Sequence, residues 1–128
     1  IIPVPGPSAA ISALSASGLP THRFLFLGFP PPKKERLRKL LQSLKCEEAT
    51  LIFYTPARKI AEFLLVAEET LGNRECVLAR ELTKMHEEIL RGDLRTLREG
   101  PGQAGLKGEA TLLIRGKSRK NKACLSRA

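Results

Sequence analysis

Short apolar runs rich in β-branched and aromatic residues alternate with helical patterns along this chain, and that alternation restricts the fold more than any other feature. Phe24 to Phe29 reads as a buried strand. Pro30-Pro31-Pro32 ends it, because proline fixes φ and withholds an N–H donor. Leu37, Leu40, Leu41 and Leu44 then recur at i, i+3, i+4 and i+7, one face of an amphipathic helix whose other face is basic. Thr50 to Tyr54 is a second strand, closed by Pro56. Ile60, Phe63, Leu64, Ala67 and Leu71 share a helix face that Gly72-Asn73 stops. Cys76 to Ala79 and Glu88 to Arg91 are further strands, a short helical piece follows at Leu94 to Arg98, and Ala110 to Ile114 is the last strand. Between these last two elements Gly100 to Gly105 reads as a flexible loop. The spacing predicts an α/β fold, a mixed sheet of about five strands with packed helices, since the fourth and fifth strands are joined by too short a connection for a purely parallel sheet.

The first helix is expected from about Ser8 to Ser17, entered through the Pro5-Gly6-Pro7 turn and stopped by Gly18 and Pro20. Ala9, Ala10, Ala13 and Ala16 make it a helix of small residues, able either to pack tightly on a sheet or to let a ligand close to its backbone.

Charge divides the 128 residues unevenly. The net +9 resolves into +5 between Lys33 and Lys45, +5 between Lys117 and Ala128, and −1 over the remainder. The second block has few apolar residues and reads as a disordered basic tail, residues 117–128, behind a folded body at 1–116. No run approaches the roughly 18 apolar residues of a membrane helix. Three cysteines, none in a C-x-x-C pair, make neither a disulfide framework nor a zinc site, so a reducing, cytoplasmic setting is expected. With two histidines and no ligand cluster, no metal centre is expected. The chain opens on Ile-Ile-Pro-Val-Pro rather than Met, as a domain of a longer protein would.

Three segments hold chemistry. Pro5-Gly6-Pro7-Ser8-Ala9 leads into a helix whose first N–H groups can bind a carboxylate or ribose, or be capped by Ser8. Tyr54-Thr55-Pro56 ends a strand where α/β proteins place ligands, or simply starts a helix. Ala79 to Glu88 packs seven polar or ionisable side chains into ten positions, as a site or as a solvated connection.

Taken in order, Val4-Pro-Gly-Pro-Ser-Ala9, Ser17-Gly-Leu-Pro20, Phe24-Leu-Phe-Leu-Gly-Phe29, the Lys/Arg helix, Leu51-Ile-Phe-Tyr54, and Ala79-Arg-Glu-Leu-Thr-Lys-Met-His-Glu-Glu88 with Arg91-Gly92 resemble the C-terminal part of the ribosomal RNA small-subunit methyltransferase I family, within the tetrapyrrole methylase superfamily. The resemblance runs from Ile1 to about Gly116. It implies a two-domain enzyme, homodimeric at full length, that uses S-adenosylmethionine to methylate the ribose 2′-hydroxyl of a cytidine in 16S ribosomal RNA. The N-terminal domain would lie outside this chain, leaving about half of the active site here.

By the same resemblance Ser8, Ala9, Thr55, Leu82 and Ala110 match cofactor-contacting positions. Arg80, Glu81, Lys84, His86 and Glu87 match the segment on the substrate side. Glu81, then Glu87 and His86, are the candidate bases, and Arg80 and Lys84 would hold phosphate. Lys33, Lys34, Arg36, Arg38 and Lys39 would face RNA. One departure stands out: the family's Tyr-Glu-(Ser/Thr)-Pro-His-Arg is here Tyr54-Thr55-Pro56-Ala57-Arg58, without the acid and the histidine. Two alternatives remain open: a tetrapyrrole methylase, which the basic helix and the Arg80–Glu88 segment argue against, and a non-catalytic RNA-binding module.

Overall fold

The structure, a computed structural model, describes residues 1–100 and 107–119. The elements run α1 (Ala9–Ser17), β1 (Phe24–Gly28), α2 (Lys34–Ser43), β2 (Thr50–Pro56), α3 (Ile60–Leu71) behind a 3-10 turn at Ala57–Lys59, β3 (Glu75–Arg80), β4 (Glu88–Asp93), α4 (Leu94–Glu99) and β5 (Glu109–Ile114). Ser8 caps α1 from an extended conformation, and Gly18, at φ 78°, closes it in the left-handed region that a residue with a Cβ resists. Asp93 caps α4 by accepting from the Thr96 N–H at 2.7 Å.

The sheet order is β1-β2-β5-β3-β4. Only β1 and β2 are parallel; β5 runs antiparallel to both β2 and β3, and β3 to β4. The mixed sheet expected from the connection lengths is therefore present. Alternation along β2, β3 and β5 splits the core in two. Leu51, Phe53, Leu78, Leu112 and Ile114 face α2, α3 and α4, where Phe53 meets Phe63 edge to face at 5.0 Å. Ile52, Val77, Ala79 and Leu113 face the other way, against Ala10, Ala13 and Leu14 of α1.

One expectation fails here. Phe24 to Phe29 reads as a buried strand, but β1 is an edge strand on a face that α1 covers only in part. Phe24 and Phe26 are 40% and 50% exposed, and only the next residues, Leu27 and Gly28, are partly buried. An apolar run cannot by itself distinguish a central strand from an edge.

Lys117 and Arg119 are tied to the body through Glu47 O (2.7 Å) and the Glu48 carboxylate (3.4 Å). The rest of the predicted tail, 120–128, and residues 101–105 of the predicted glycine loop lie outside the described residues.

Glu68 joins the two helices of the larger core. It accepts from Arg95 at 2.9 Å and Arg98 at 2.8 Å. The hydrogen bond from Arg95, then that from Arg98, holds its carboxyl below the usual 4.5. Its folded value is lower than its unfolded one, so this stabilisation is present above about pH 4.5 and is lost as pH falls through the folded value. Glu68→Gln should flatten the acid limb of thermal stability measured by circular dichroism against pH. Asp93, shifted the same way by the Thr96 amide, keeps part of that limb.

Candidate active site

The register of the three central strands brings their working ends level. Thr55 pairs with Ala110, which pairs with Arg80, and Tyr54 and Ala79 flank Thr111. On the α1 face this end opens into a cavity of about 270 Å³ lined by Ala9, Tyr54, Ala79, Glu81, Leu82, Lys84, Glu109, Ala110 and Thr111. Three of these residues are alanines. Side chains no longer than a methyl leave the backbone approachable, so a flat ring can lie against the strand ends.

Tyr54 fixes the wall. Its hydroxyl accepts from the Ala10 N–H at 3.2 Å, fastening the first turn of α1 to β2, and its ring meets Phe26 and Phe29 edge to face at 4.9 and 5.7 Å. The Ser8 hydroxyl accepts from the Ile11 N–H at 3.4 Å. Two first-turn amides are thus already engaged, which narrows the part that the α1 N-terminus can play in holding a ligand.

The segment after β3 is folded tightly. Glu81 and Thr83 take φ values of 51° and 65°, uncommon for residues with a Cβ. The Lys84 N–H donates to Glu81 O and the Glu87 N–H to Lys84 O, while the Glu87 carboxylate accepts from the Thr83 N–H at 2.9 Å. The Glu81 carboxylate takes Lys84 Nζ at 2.9 Å and the Glu109 backbone N–H, and it lies where a Cβ on Gly108 would stand. Lys84 above all holds its carboxyl below the usual range, so Glu81 is ionised at neutral pH. Arg80 turns inward, with Nη1 on Glu88 at 3.0 Å and Nη2 on Lys107 O at 3.1 Å; its Nε is buried without a partner among the described residues.

Of the residues singled out from sequence, Ala9, Leu82, Ala110, Glu81 and Lys84 meet in this cavity, with Ser8 beside them as the cap. Thr55 does not: its side chain points to the α3 face. His86 and Glu87 are exposed and outside the lining, Glu87 being used to close its own turn. The Arg80 guanidinium is already engaged. On α2, Lys33, Lys34, Arg36 and Lys39 are exposed, whereas Arg38 is held by Glu35 at 3.4 Å and Glu69 at 3.3 Å. The buried thiol of Cys76 is pushed up to about 12 by burial and then by Asp93, so it is no nucleophile. Sequence reasoning missed Ala79, Thr111, Gly108 and the pinning role of Tyr54. That Tyr54 is the chain's one tyrosine, set at a strand end, was the available signal.

The fold is also that of known methyltransferases. The methyltransferase CobJ matches with a TM-score of 0.64 at 24% identity, covering 88% of this chain and 49% of that one. The cobalt precorrin-4 methyltransferase CbiF matches with the same score at 17% identity, covering 88% and 50%. At those identities the likeness establishes the fold alone. Residues 1–98 match the family model for tetrapyrrole (corrin/porphyrin) methylases, and the chain belongs to that family. Curated relatives bear the name ribosomal RNA small subunit methyltransferase I. That of Halalkalibacterium halodurans is 43% identical over 94% of this chain and 42% of its own length. That of Rickettsia prowazekii is 47% identical over 88% and 40%. The chain thus spans less than half the length of these relatives.

Gly108 tests the packing of this wall. At φ 86° an added Cβ is strained, and it would also displace the Glu81 carboxylate. Gly108→Ala should cost at least ~1 kcal/mol in chemical denaturation. A smaller loss for Glu81→Ala than for Gly108→Ala would separate the backbone cost from the side-chain clash.

Proposed function

We propose that this chain is the C-terminal domain, residues 1–116 with a basic tail at 117–128, of an S-adenosylmethionine-dependent methyltransferase. Its substrate is a cytidine 2′-hydroxyl in 16S ribosomal RNA of the small ribosomal subunit. The observation that carries the reading is the 43–47% identity to relatives named for small-subunit ribosomal RNA, against 17–24% for the solved cobalamin-type enzymes.

The residues present suit the cofactor. Ala9, Ala79 and Ala110 leave room for a flat base, Leu82 adds apolar surface, and Ser8 stands at the rim. When bound, the cofactor supplies an electrophilic methyl group. The chain's own task is to align the ribose hydroxyl and to receive its proton as the new bond forms. Glu81 is the group for this. It is ionised, it lines the cavity, and its partner Lys84 is 69% exposed and free to swing toward an RNA phosphate. A base held below the usual carboxylate range is weak, so it serves mainly to orient the hydroxyl until the proton leaves late in the step. Glu87 and His86 stand behind it as secondary candidates on the same segment. Thr55, registered beside Ala110 with its side chain toward α3, stands at the same strand end and would reach the cofactor through its backbone. Exposed Lys33, Lys34, Arg36 and Lys39 attract the RNA backbone; Arg38 contributes once its acidic partners release it, and Arg80 shapes the segment that carries Glu81. The other half of the site belongs to a preceding domain in a homodimeric, cytoplasmic enzyme.

The two-domain protein, incubated with labelled S-adenosylmethionine and small ribosomal subunits, should yield 2′-O-methylcytidine on nucleoside analysis. Glu81→Gln should lower kcat by about 10²-fold or more with little change in cofactor affinity. Methyl transfer to a tetrapyrrole or free nucleoside, with none to RNA, would favour the precorrin-type alternative and overturn the reading. RNA binding with no transfer at all would leave the non-catalytic module.

A further inference from the structure

A second recess lies across the sheet from the first, at the carboxyl ends of β1 and β2 under α2 and α3. It encloses about 210 Å³. Its walls are apolar: Phe29, the Pro30–Pro32 run, Leu37 and Phe63. Lys34 and Lys59 stand on its rim, facing one acid, Glu62. The volume is below the roughly 300–1,000 Å³ of a pocket for a drug-sized ligand, so it suits one ring system. The positive rim continues along α2 through exposed Lys33, Arg36 and Lys39. Phe29, 58% exposed, borders both recesses: it lines this one and meets the ring of Tyr54, which lines the other.

Building on the RNA methyltransferase reading, we infer that this recess takes one unpaired nucleobase of the substrate RNA, next to the nucleotide being modified. The base stacks on Phe29 and Lys34 and Lys59 hold its flanking phosphates. Apolar walls with a cationic rim match a flat base between two anions. Tyr54 and Thr55 are neighbours on one strand and face the two recesses, so adjacent nucleotides can enter one each. Three successive prolines offer no N–H to a base edge. The recess therefore selects by shape and stacking, with little preference among bases.

The test uses this chain, a fluorescein-labelled single-stranded oligocytidine RNA, and labelled heparin as a polyanion without bases, both read by fluorescence anisotropy. Phe29→Ala should weaken RNA binding about tenfold and leave heparin unchanged. Phe29→Trp should restore or strengthen RNA binding. Lys34→Ala with Lys59→Ala should weaken both probes and lower the salt slope by roughly 0.7 per lysine lost. Phe29 is largely exposed, and circular dichroism confirms that each variant folds. RNA affinity unchanged in Phe29→Ala, or equal losses for RNA and heparin, would overturn the recess as a base site. That result beside intact methyl transfer by the two-domain protein leaves the methyltransferase reading standing. No RNA affinity in the unsubstituted chain overturns the recess as well.

Discussion

The structure depends on β5 entering between β2 and β3. Without it the sheet is two separate pairs, β1 with β2 and β3 with β4, and neither core closes. Ala110 to Ile114 are all buried, and each is registered to a residue on both sides. This strand is the last among the described residues and pairs with partners roughly 30–40 and 55–65 residues earlier. Its entropy of closure is therefore met late, by long-range contacts. The same insertion makes the candidate site, because only β5 sets Thr55, Ala110 and Arg80 level and brings Gly108 under the Glu81 carboxylate.

Much of this was legible in the sequence because the signals were local. The leucines of α2, the Ser8 and Gly18 ends of α1, and the short link between the last strands each follow from spacing or from one residue's backbone preference. The place of β5 in the middle of the sheet was not legible: its pattern fits any buried strand. The exposure of Phe24 and Phe26 was hidden for a related reason, since burial depends on which helix lies over a strand and not on the strand's own composition. At the site, Ala9, Ala110 and Leu82 came from the family resemblance, and Ala79 did not. Thr55 is set by alternation: Tyr54 lines the cavity on the α1 face, and the Thr55 side chain lies on the opposite face of the same strand. The quartet of Glu81, Lys84, Gly108 and Glu109 joins segments more than twenty residues apart and has no sequence signal beyond a glycine.

The charge has a similar history. As a total, +9 suggests general attraction to nucleic acid. In the structure Arg38, Arg80, Arg95, Arg98 and Arg115 are consumed by Glu35 and Glu69, Glu88, Glu68 and Glu75. The pattern separates arginines, which mostly fix helices and strands to one another, from the lysines of α2, which stay in solvent. Planar guanidinium groups suit fixed pairing with carboxylates, while flexible ammonium groups suit a mobile polyanion.

The two faces of the sheet are covered unequally, and that asymmetry bears on how the site works. Three helices bury one face. The other has, among the described residues, only α1, nine residues long, which leaves Phe24, Phe26, Phe29 and Ile11 partly in water beside the cavity that Tyr54 and Ala9 line. Apolar side chains grouped in this way seek cover. Under the proposed methyl-transfer function the cavity would need the same cover, because water weakens every charge–dipole contact at reacting atoms. The apolar side chains left open on this face and the cavity that Glu81 lines stand side by side at one end of the sheet, joined by the Tyr54 ring that touches both Phe26 and Phe29.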